Sequence, residues 1–315
     1  VAELLNVEGL KKYFPRGNKT LKAVDDVSFT VAPGETLGLV GESGSGKSTL
    51  GRSILRLIEP TAGKIYFQGK DLGAQSPEQL RLLRREMQII FQDPLASLNP
   101  QMSIGQTIED PLLVHGFGTA SERRDKVMEI LDLVGLGRRF AGAFPFEFSG
   151  GQQQRVGIAR ALVMNPLFVV CDEPVSALDV SIQSQIITLL TDLRKKLGLS
   201  YLFISHDLAV VKYISDKVAV MYLGQIVEIG SKTDVFSKPL HPYTKAMISS
   251  IPRIPRDGEQ LKRYETLKGE IPSPIDLPSG CRFRTRCPLA DKICEESEPV
   301  LKDYGSGHKA ACFHI

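Results

Sequence analysis

Short runs of consecutive apolar residues punctuate the chain, separated by segments in which apolar positions recur with helical period. Thr36–Val40, the stretch from Leu167 to Cys171, and Ser200–Ser205 are apolar enough to read as strands buried on both faces. Residues 49–58, 121–133, 152–164 and 243–250 carry helical spacing, with charged outer positions over 121–133. Ala2 to Glu8 is a mixed, acidic, strand-like segment, which predicts no secretory leader there. After about residue 240 the texture changes. Prolines at 252, 255, 272, 274 and 278 predict an extended linker laid over the surface rather than regular structure.

The polar residues at the ends of the apolar runs carry the chemistry. Between the first strand and the first helix stands Gly41-Glu42-Ser43-Gly44-Ser45-Gly46-Lys47-Ser48. Its glycines let successive amides turn toward phosphate oxygens, and the following helix presents its positive end to the same place. Lys47 is placed to reach the β- and γ-phosphates of a nucleotide, and the Ser48 hydroxyl to ligate Mg²⁺. The second strand ends in Asp172-Glu173. There Asp172 suits Mg²⁺, commonly through water, and Glu173 suits a general base that polarises the attacking water. The third strand ends in His206, within reach of a γ-phosphate and that water. Ser149-Gly150-Gly151-Gln152 precedes the helix of 152–164, so Ser149 is a candidate N-cap and the helix start a second anion site.

Taken in order, the glycine loop, Gln92 in Phe91-Gln-Asp-Pro94, the 149–152 signature, Asp172-Glu173, Ser176-Ala-Leu-Asp179 and His206 resemble the nucleotide-binding subunit of an ATP-binding cassette transporter over most of the first 230 residues. The resemblance implies an α/β fold. It is a P-loop NTPase cassette with a RecA-like core, an antiparallel β-subdomain and an inserted helical subdomain at about 93–148. It assigns Tyr13 to stacking on adenine, with strand packing as the alternative. Gly41 to Thr49, Gln92 and His206 contact ATP, and Ser48, Gln92 and Asp172 surround Mg²⁺. It makes Glu173, His206 and Lys47 the catalytic residues. Ser149, Gly150, Gly151, Gln152 and Asp179 face the ATP held by a second ATPase subunit. It makes Gln92 a sensor at the base of the helical subdomain, beside the groove where a membrane partner docks.

Composition narrows this picture without changing it. At 315 residues the chain suits one large domain plus an extension. A formal charge of +3 and a pI near 8.5 are too mild to argue for nucleic acid, and no basic run appears. No apolar stretch approaches the ~20 residues of a membrane span, so the membrane is expected to be reached through partners.

Four of the five cysteines, Cys281, Cys287, Cys294 and Cys312, fall in the last 35 residues, spaced C-x5-C-x6-C-x17-C. Cys171, in an apolar strand, reads as core. Under reducing conditions clustered thiols more often bind metal than pair, and a short proline-rich tail buries little core of its own. Four thiolates suffice for an iron–sulfur cluster or for zinc, with His308 and His314 as substitute zinc ligands, and the spacing does not choose. Cys281-Arg-Phe-Arg-Thr-Arg-Cys-Pro288, residues 173–183 and His241-Pro-Tyr-Thr244 resemble the oligopeptide and dipeptide transporter ATPases, whose tail thiols are associated with a [4Fe-4S] cluster. The expected divisions are a cassette over 1–250, a linker over 251–280 and a Cys-rich extension over 281–315.

The resemblance implies an ATPase at the cytoplasmic face of the inner membrane that powers di- and oligopeptide uptake. Its expected partners are a second, distinct ATPase subunit, two transmembrane permeases and an extracytoplasmic substrate-binding protein, with no nucleic acid. Nickel, glutathione or oligosaccharide are the alternative cargoes. Other classes are a soluble cassette ATPase acting on ribosomes or DNA, which usually has two cassettes or a long coiled-coil insert, and a regulatory iron–sulfur module, which leaves Glu173 and His206 without purpose.

Overall fold

The computed structural model describes residues 3–251 and 269–315. In chain order it forms β1 (Leu5–Arg16), β2 (Lys19–Val31), β3 (Thr36–Val40), α1 (Lys47–Ile54), β4 (Ala62–Phe67) and β5 (Lys70–Asp71). Then come α2 (Pro77–Leu83), β6 (Met87–Ile90), α3 (Ile104–Val114), α4 (Ala120–Leu133), α5 (Gly150–Leu162), β7 (Phe168–Asp172), α6 (Val180–Leu197) and β8 (Ser200–Ser205). The remainder is α7 (Leu208–Ile214), β9 (Lys217–Tyr222), β10 (Gln225–Ser231), α8 (Lys232–Ser237), α9 (Pro242–Ser249), α10 (Lys292–Glu296), β11 (Lys302–Asp303) and β12 (Lys309–Ala310). Among the described residues no helix is long and apolar enough to cross a membrane.

The chain divides into two compact units. One consists of residues up to Leu5, Val31–Thr36 and Tyr66–Ile204. In it β6, β7 and β8 run parallel, in the register Gln88↔Val169↔Tyr201. All of β7 and β8 is buried, which is why their sequences show no polar alternation. The insert between Gln92 and Ser149 is helical for local reasons. Ser103 starts α3 and Thr119 starts α4, each with a reciprocal capping box, to Gln106 and Glu122 respectively. Val127, Ile130 and Leu131 form the buried stripe of α4.

The other unit consists of Asn6–Thr30, Leu37–Ile65 and Ser205–Ile315. Here β1 lies between β2 and β4. β3 pairs in parallel with β9, β9 pairs antiparallel with β10, and β10 with β12. A bulge between Ile226 and Glu228 turns the Glu228 side chain into the interior, where it is fully buried. Its carboxylate accepts from the amides of Leu240 (2.9 Å) and His241 (2.8 Å) and lies 2.8 Å from His308 Nε2.

Two features differ from the sequence expectation. The helix expected over 49–58 starts two residues earlier and ends at Ile54, because Arg56 takes a left-handed φ of 53° and Leu57 N turns back to the Arg52 carbonyl. The tail, expected to bury little, buries Phe283 to 1 % exposure and Ala310 completely, and adds β11 and β12 beside β10. Most of the expected linker, including the prolines at 252 and 255, lies outside the described residues, and 269–280 forms neither helix nor strand.

Candidate nucleotide site and cysteine tail

In the second unit the glycine loop joins β3 to α1. Gly46 caps α1 at φ 103°, and a Cβ there would lie 1.9 Å from the Ala23 carbonyl oxygen, so only glycine fits. Gly224 N donates to the Ser45 carbonyl (2.9 Å) and Ser45 N to the Glu42 carbonyl (3.2 Å), which fixes the curl of the loop. Lys47 opens α1 and is 4 % exposed. Its ammonium donates to the carbonyls of Gly41 (2.8 Å) and Glu42 (2.9 Å), so it is already aimed across the loop. Ser43 and Gly44 are exposed at the crest, and Ser48 and Thr49 are half-buried on the first turn. The α1 N-terminus therefore presents amides, a positive dipole end and a cation to one anion.

Three surrounding groups tie to this loop within the same unit. The Tyr243 hydroxyl accepts from Glu42 N (2.9 Å), and burial, followed by the Glu42 charge, holds that phenol protonated. The Glu42 carboxylate receives a two-pronged pair from Arg286, at 2.6 and 2.9 Å. Tyr13, with Lys22 Nζ 5.6 Å from its ring centroid, donates its hydroxyl to Asp25, which also receives Arg282. Burial pushes the Asp25 carboxyl up, but hydrogen bonds from Tyr13 and Arg282 outweigh it and hold it below the usual range. His206 is exposed just past β8, and Asp207 caps α7.

In the first unit Asp172 is fully buried at the last position of β7. Glu173 follows with φ 48°, a left-handed backbone that a non-glycine residue adopts at a cost of order 1–3 kcal/mol. That turn takes its side chain out of the strand direction, where Glu173 Oε2 accepts from Gln92 Nε2 at 3.0 Å. The structure thus joins the expected sensor to the expected base. Ser149 takes the N-cap position of α5, its amide donating to Gln152 Oε1 (3.0 Å). A Cβ on Gly151 would lie 2.5 Å from Ile182 Cγ2, so the signature packs on the start of α6, which Asp179 precedes. Ser149, Gly150 and Asp179 are exposed, as is Val180 at 78 %.

The four tail thiols share electrostatic contact around Cys281. Three accept an amide N–H from two residues on: Cys281 from Phe283, Cys287 from Leu289 (3.4 Å) and Cys312 from His314 (3.4 Å). Such bonds stabilise thiolates that ligate a metal. Burial raises the Cys281 thiol to about 11, so without a ligand it stays protonated. Among the described residues the only close donor group, with ligand atoms within 4.8 Å of one another, is Asp291, Cys294 and His314. It contains one of the four thiols, whereas a Zn–S bond of ~2.3 Å requires four sulfurs within about 3.8 Å of each other. His308, weighed as a zinc ligand, is committed to Glu228, and Cys171 is inert core.

Sequence reasoning missed Arg282, Arg286, Phe283 and Glu228. The signal was present in Cys281-Arg-Phe-Arg-Thr-Arg-Cys287, where three cations and a phenylalanine sit between two thiols, but nothing local names their targets.

Residues 24–176 match the family model described as "ABC transporter", and residues 227–294 the one described as "Oligopeptide/dipeptide transporter, C-terminal region". A putative peptide import ATP-binding protein of Brucella ovis is 53 % identical over 309 residues, covering 98 % of this chain and 97 % of that one. The oligopeptide transport ATP-binding proteins AppF of Bacillus subtilis and OppF of Salmonella typhimurium are 50 % and 52 % identical, with 98 % and 97 % of this chain covered and 96 % and 91 % of theirs. The solved dimer of MJ0796, a bacterial ABC transporter cassette, superimposes with a TM-score of 0.67 at 30 % identity over 72 % of this chain and 98 % of that one. The structure of cbiO1 from Clostridium perfringens, part of the ABC transporter complex cbiONQ, gives 0.67 at 29 % over 76 % of this chain and 92 % of that one. The fold is that of an ABC cassette P-loop NTPase, and the chain belongs to the ABC transporter family, in its oligopeptide/dipeptide branch.

Proposed function

We propose that the chain is the ATP-hydrolysing subunit that powers di- and oligopeptide uptake by a membrane import complex. The observation that carries this reading is the match of about half of all positions, across the cassette and the cysteine tail alike, to proteins named for peptide import. The geometry supports the ATPase half independently. Lys47 and the amides of Gly41 to Ser48 bind the phosphates, Thr49 completes the first turn, and Tyr13 supports the base. Ser48, Gln92 and Asp172 are oxygen donors of the kind Mg²⁺ takes, and they would hold it; Mg²⁺ bound there neutralises phosphate charge. Glu173 takes a proton from the attacking water, and Gln92, already bonded to it, releases or holds that carboxylate. His206 contacts the γ-phosphate and the water.

Ser149, Gly150, Gly151, Gln152 and Asp179 form the exposed half-site offered to the ATP of a second ATPase subunit. Closure of two cassettes completes each site, and product release reopens it. Exposed Leu82, Leu95, Leu113 and Val114, in and around the inserted helices, suit a membrane partner's cytoplasmic helix. The complex then comprises two permeases, a distinct second ATPase and a substrate-binding protein, with this chain peripheral to the inner membrane. Cys281, Cys287, Cys294 and Cys312 are the residues that would hold a [4Fe-4S] cluster, for which four thiolates suffice, with zinc as the alternative. Anaerobic affinity purification from membranes in mild detergent is expected to recover two polytopic subunits and a second cassette, with iron and sulfide in the chain. Recovery of ribosomes or DNA-bound factors contradicts the importer, and stoichiometric zinc without sulfide contradicts the cluster.

A further inference from the structure

The segment bounded by Cys281 and Cys287 is fastened to the nucleotide loop at three points. Arg286, 5 % exposed in its side chain, pairs with Glu42 inside the glycine loop. Arg282, 6 % exposed, reaches Asp25 and the Leu223 carbonyl. Asp25 N donates to Gly224 O, and Gly224 N to Ser45 O, so this second tie also ends in the loop. Between them Phe283 fills an aromatic pocket of Tyr222, Tyr243 and His241, at centroid distances of 5.3, 5.4 and 5.5 Å. Tyr243 in turn accepts from Glu42 N.

A carboxylate within a phosphate-binding loop repels the charge the loop exists to bind. At Glu42 the repulsion is offset by Arg286, which both neutralises the carboxylate and holds it to one side. Cys281 N is itself tied to the Cys294 carbonyl (2.8 Å), so whatever the thiols hold fixes both ends of the segment.

We propose that the Cys281–Cys287 segment is a strut for the nucleotide loop, with Arg286 and Arg282 as positioning residues for ATP, so that ATP affinity follows the ligation state of the flanking thiols. The arginine part rests on the structure alone, and the dependence on ligation rests on the four-thiol reading above.

The test uses the full chain purified anaerobically, with a fluorescent ATP analogue and Mg²⁺ as the binding probe, and with iron, zinc and sulfide assayed on each sample. Arg286→Gln is expected to weaken nucleotide binding about ten-fold, the effect of one unopposed charge near the phosphates, with metal content unchanged and KM raised at constant kcat. Adding Glu42→Gln to Arg286→Gln is expected to recover most of the loss, because the repelling charge is gone; an arginine that served only to hold the tail down would show no such rescue. Cys287→Ser is expected to lose the bound group and weaken ATP binding by a similar factor, with little further loss on adding Arg286→Gln. Arg286→Gln binding within two-fold of wild type, or a double variant no tighter than Arg286→Gln, overturns the strut. A Cys287→Ser chain emptied of metal that binds ATP like wild type overturns the coupling. A wild-type chain holding neither metal nor sulfide refutes the coupling and the four-thiol reading together, while the Arg286/Glu42 pair still decides the strut.

Discussion

At the scale of single residues, the strongest departures from ordinary chemistry serve either the site or its support. Glu173 sits in a left-handed backbone that glycine would take without strain, and the return is a carboxylate turned out of the β7 direction onto Gln92. His241 is a structural counterpart. Burial, with repulsion from Lys245, drops its pKa from 6.5 to about 3, and its Nδ1 accepts from Tyr243 N at 3.1 Å. In the folded chain it stays neutral where the unfolded chain takes up a proton below 6.5. Stability is therefore unaffected by this group above pH 6.5 and falls between 6.5 and 3, by about 1.4 kcal/mol per pH unit. His241→Asn keeps an acceptor for Tyr243 N and removes the titration. Urea unfolding at pH 7 and pH 5 should show a smaller acid loss in the variant than in wild type; equal losses would mean that other groups set the acid sensitivity.

At the scale of elements, the buried strands were legible because burial on both faces leaves an unbroken apolar run, and Ser200–Ser205 was read to the residue. The phosphate loop was legible because glycine, lysine and serine occur there at fixed spacing for a geometric reason. The tail was not. Its partners lie 244 and 257 positions away in sequence, as in Arg286 with Glu42 and Arg282 with Asp25, and no periodicity identifies a partner at that distance. Nor does a two-residue strand such as β12 leave a pattern. The bulge that buries Glu228 was hidden in the same way, since a glutamate in an alternating strand reads as solvent-facing. His308→Ala removes the side-chain partner of that buried carboxylate and is expected to cost about 2–3 kcal/mol. Thermal unfolding should report it as a clear drop in Tm. An unchanged Tm would mean that the two backbone amides suffice for Glu228.

At the scale of the whole molecule, the exposed Ser149, Gly150 and Asp179 are the surface on which the proposed pairing with a second cassette rests. Ser149→Arg should leave nucleotide binding by the isolated chain within two-fold of wild type and abolish ATPase in the assembled transporter, because a bulky cation fills the place of the partner's γ-phosphate. Binding by fluorescence and turnover by phosphate release separate the two, and unchanged turnover would count against the paired-cassette arrangement. Family membership follows from likeness over nearly the full length, and the cargo is carried by the relatives' names rather than by any residue of this chain.

In the proposed function, hydrolysis at Glu173 powers peptide uptake. The most direct measurement is uptake of a labelled oligopeptide by cells whose only copy of this chain carries Glu173→Gln, alongside ATP binding and turnover of the purified variant. ATP binding should persist, turnover should fall by about two to four orders of magnitude, and uptake should stop. Peptide uptake at the wild-type rate with hydrolysis abolished would contradict the account.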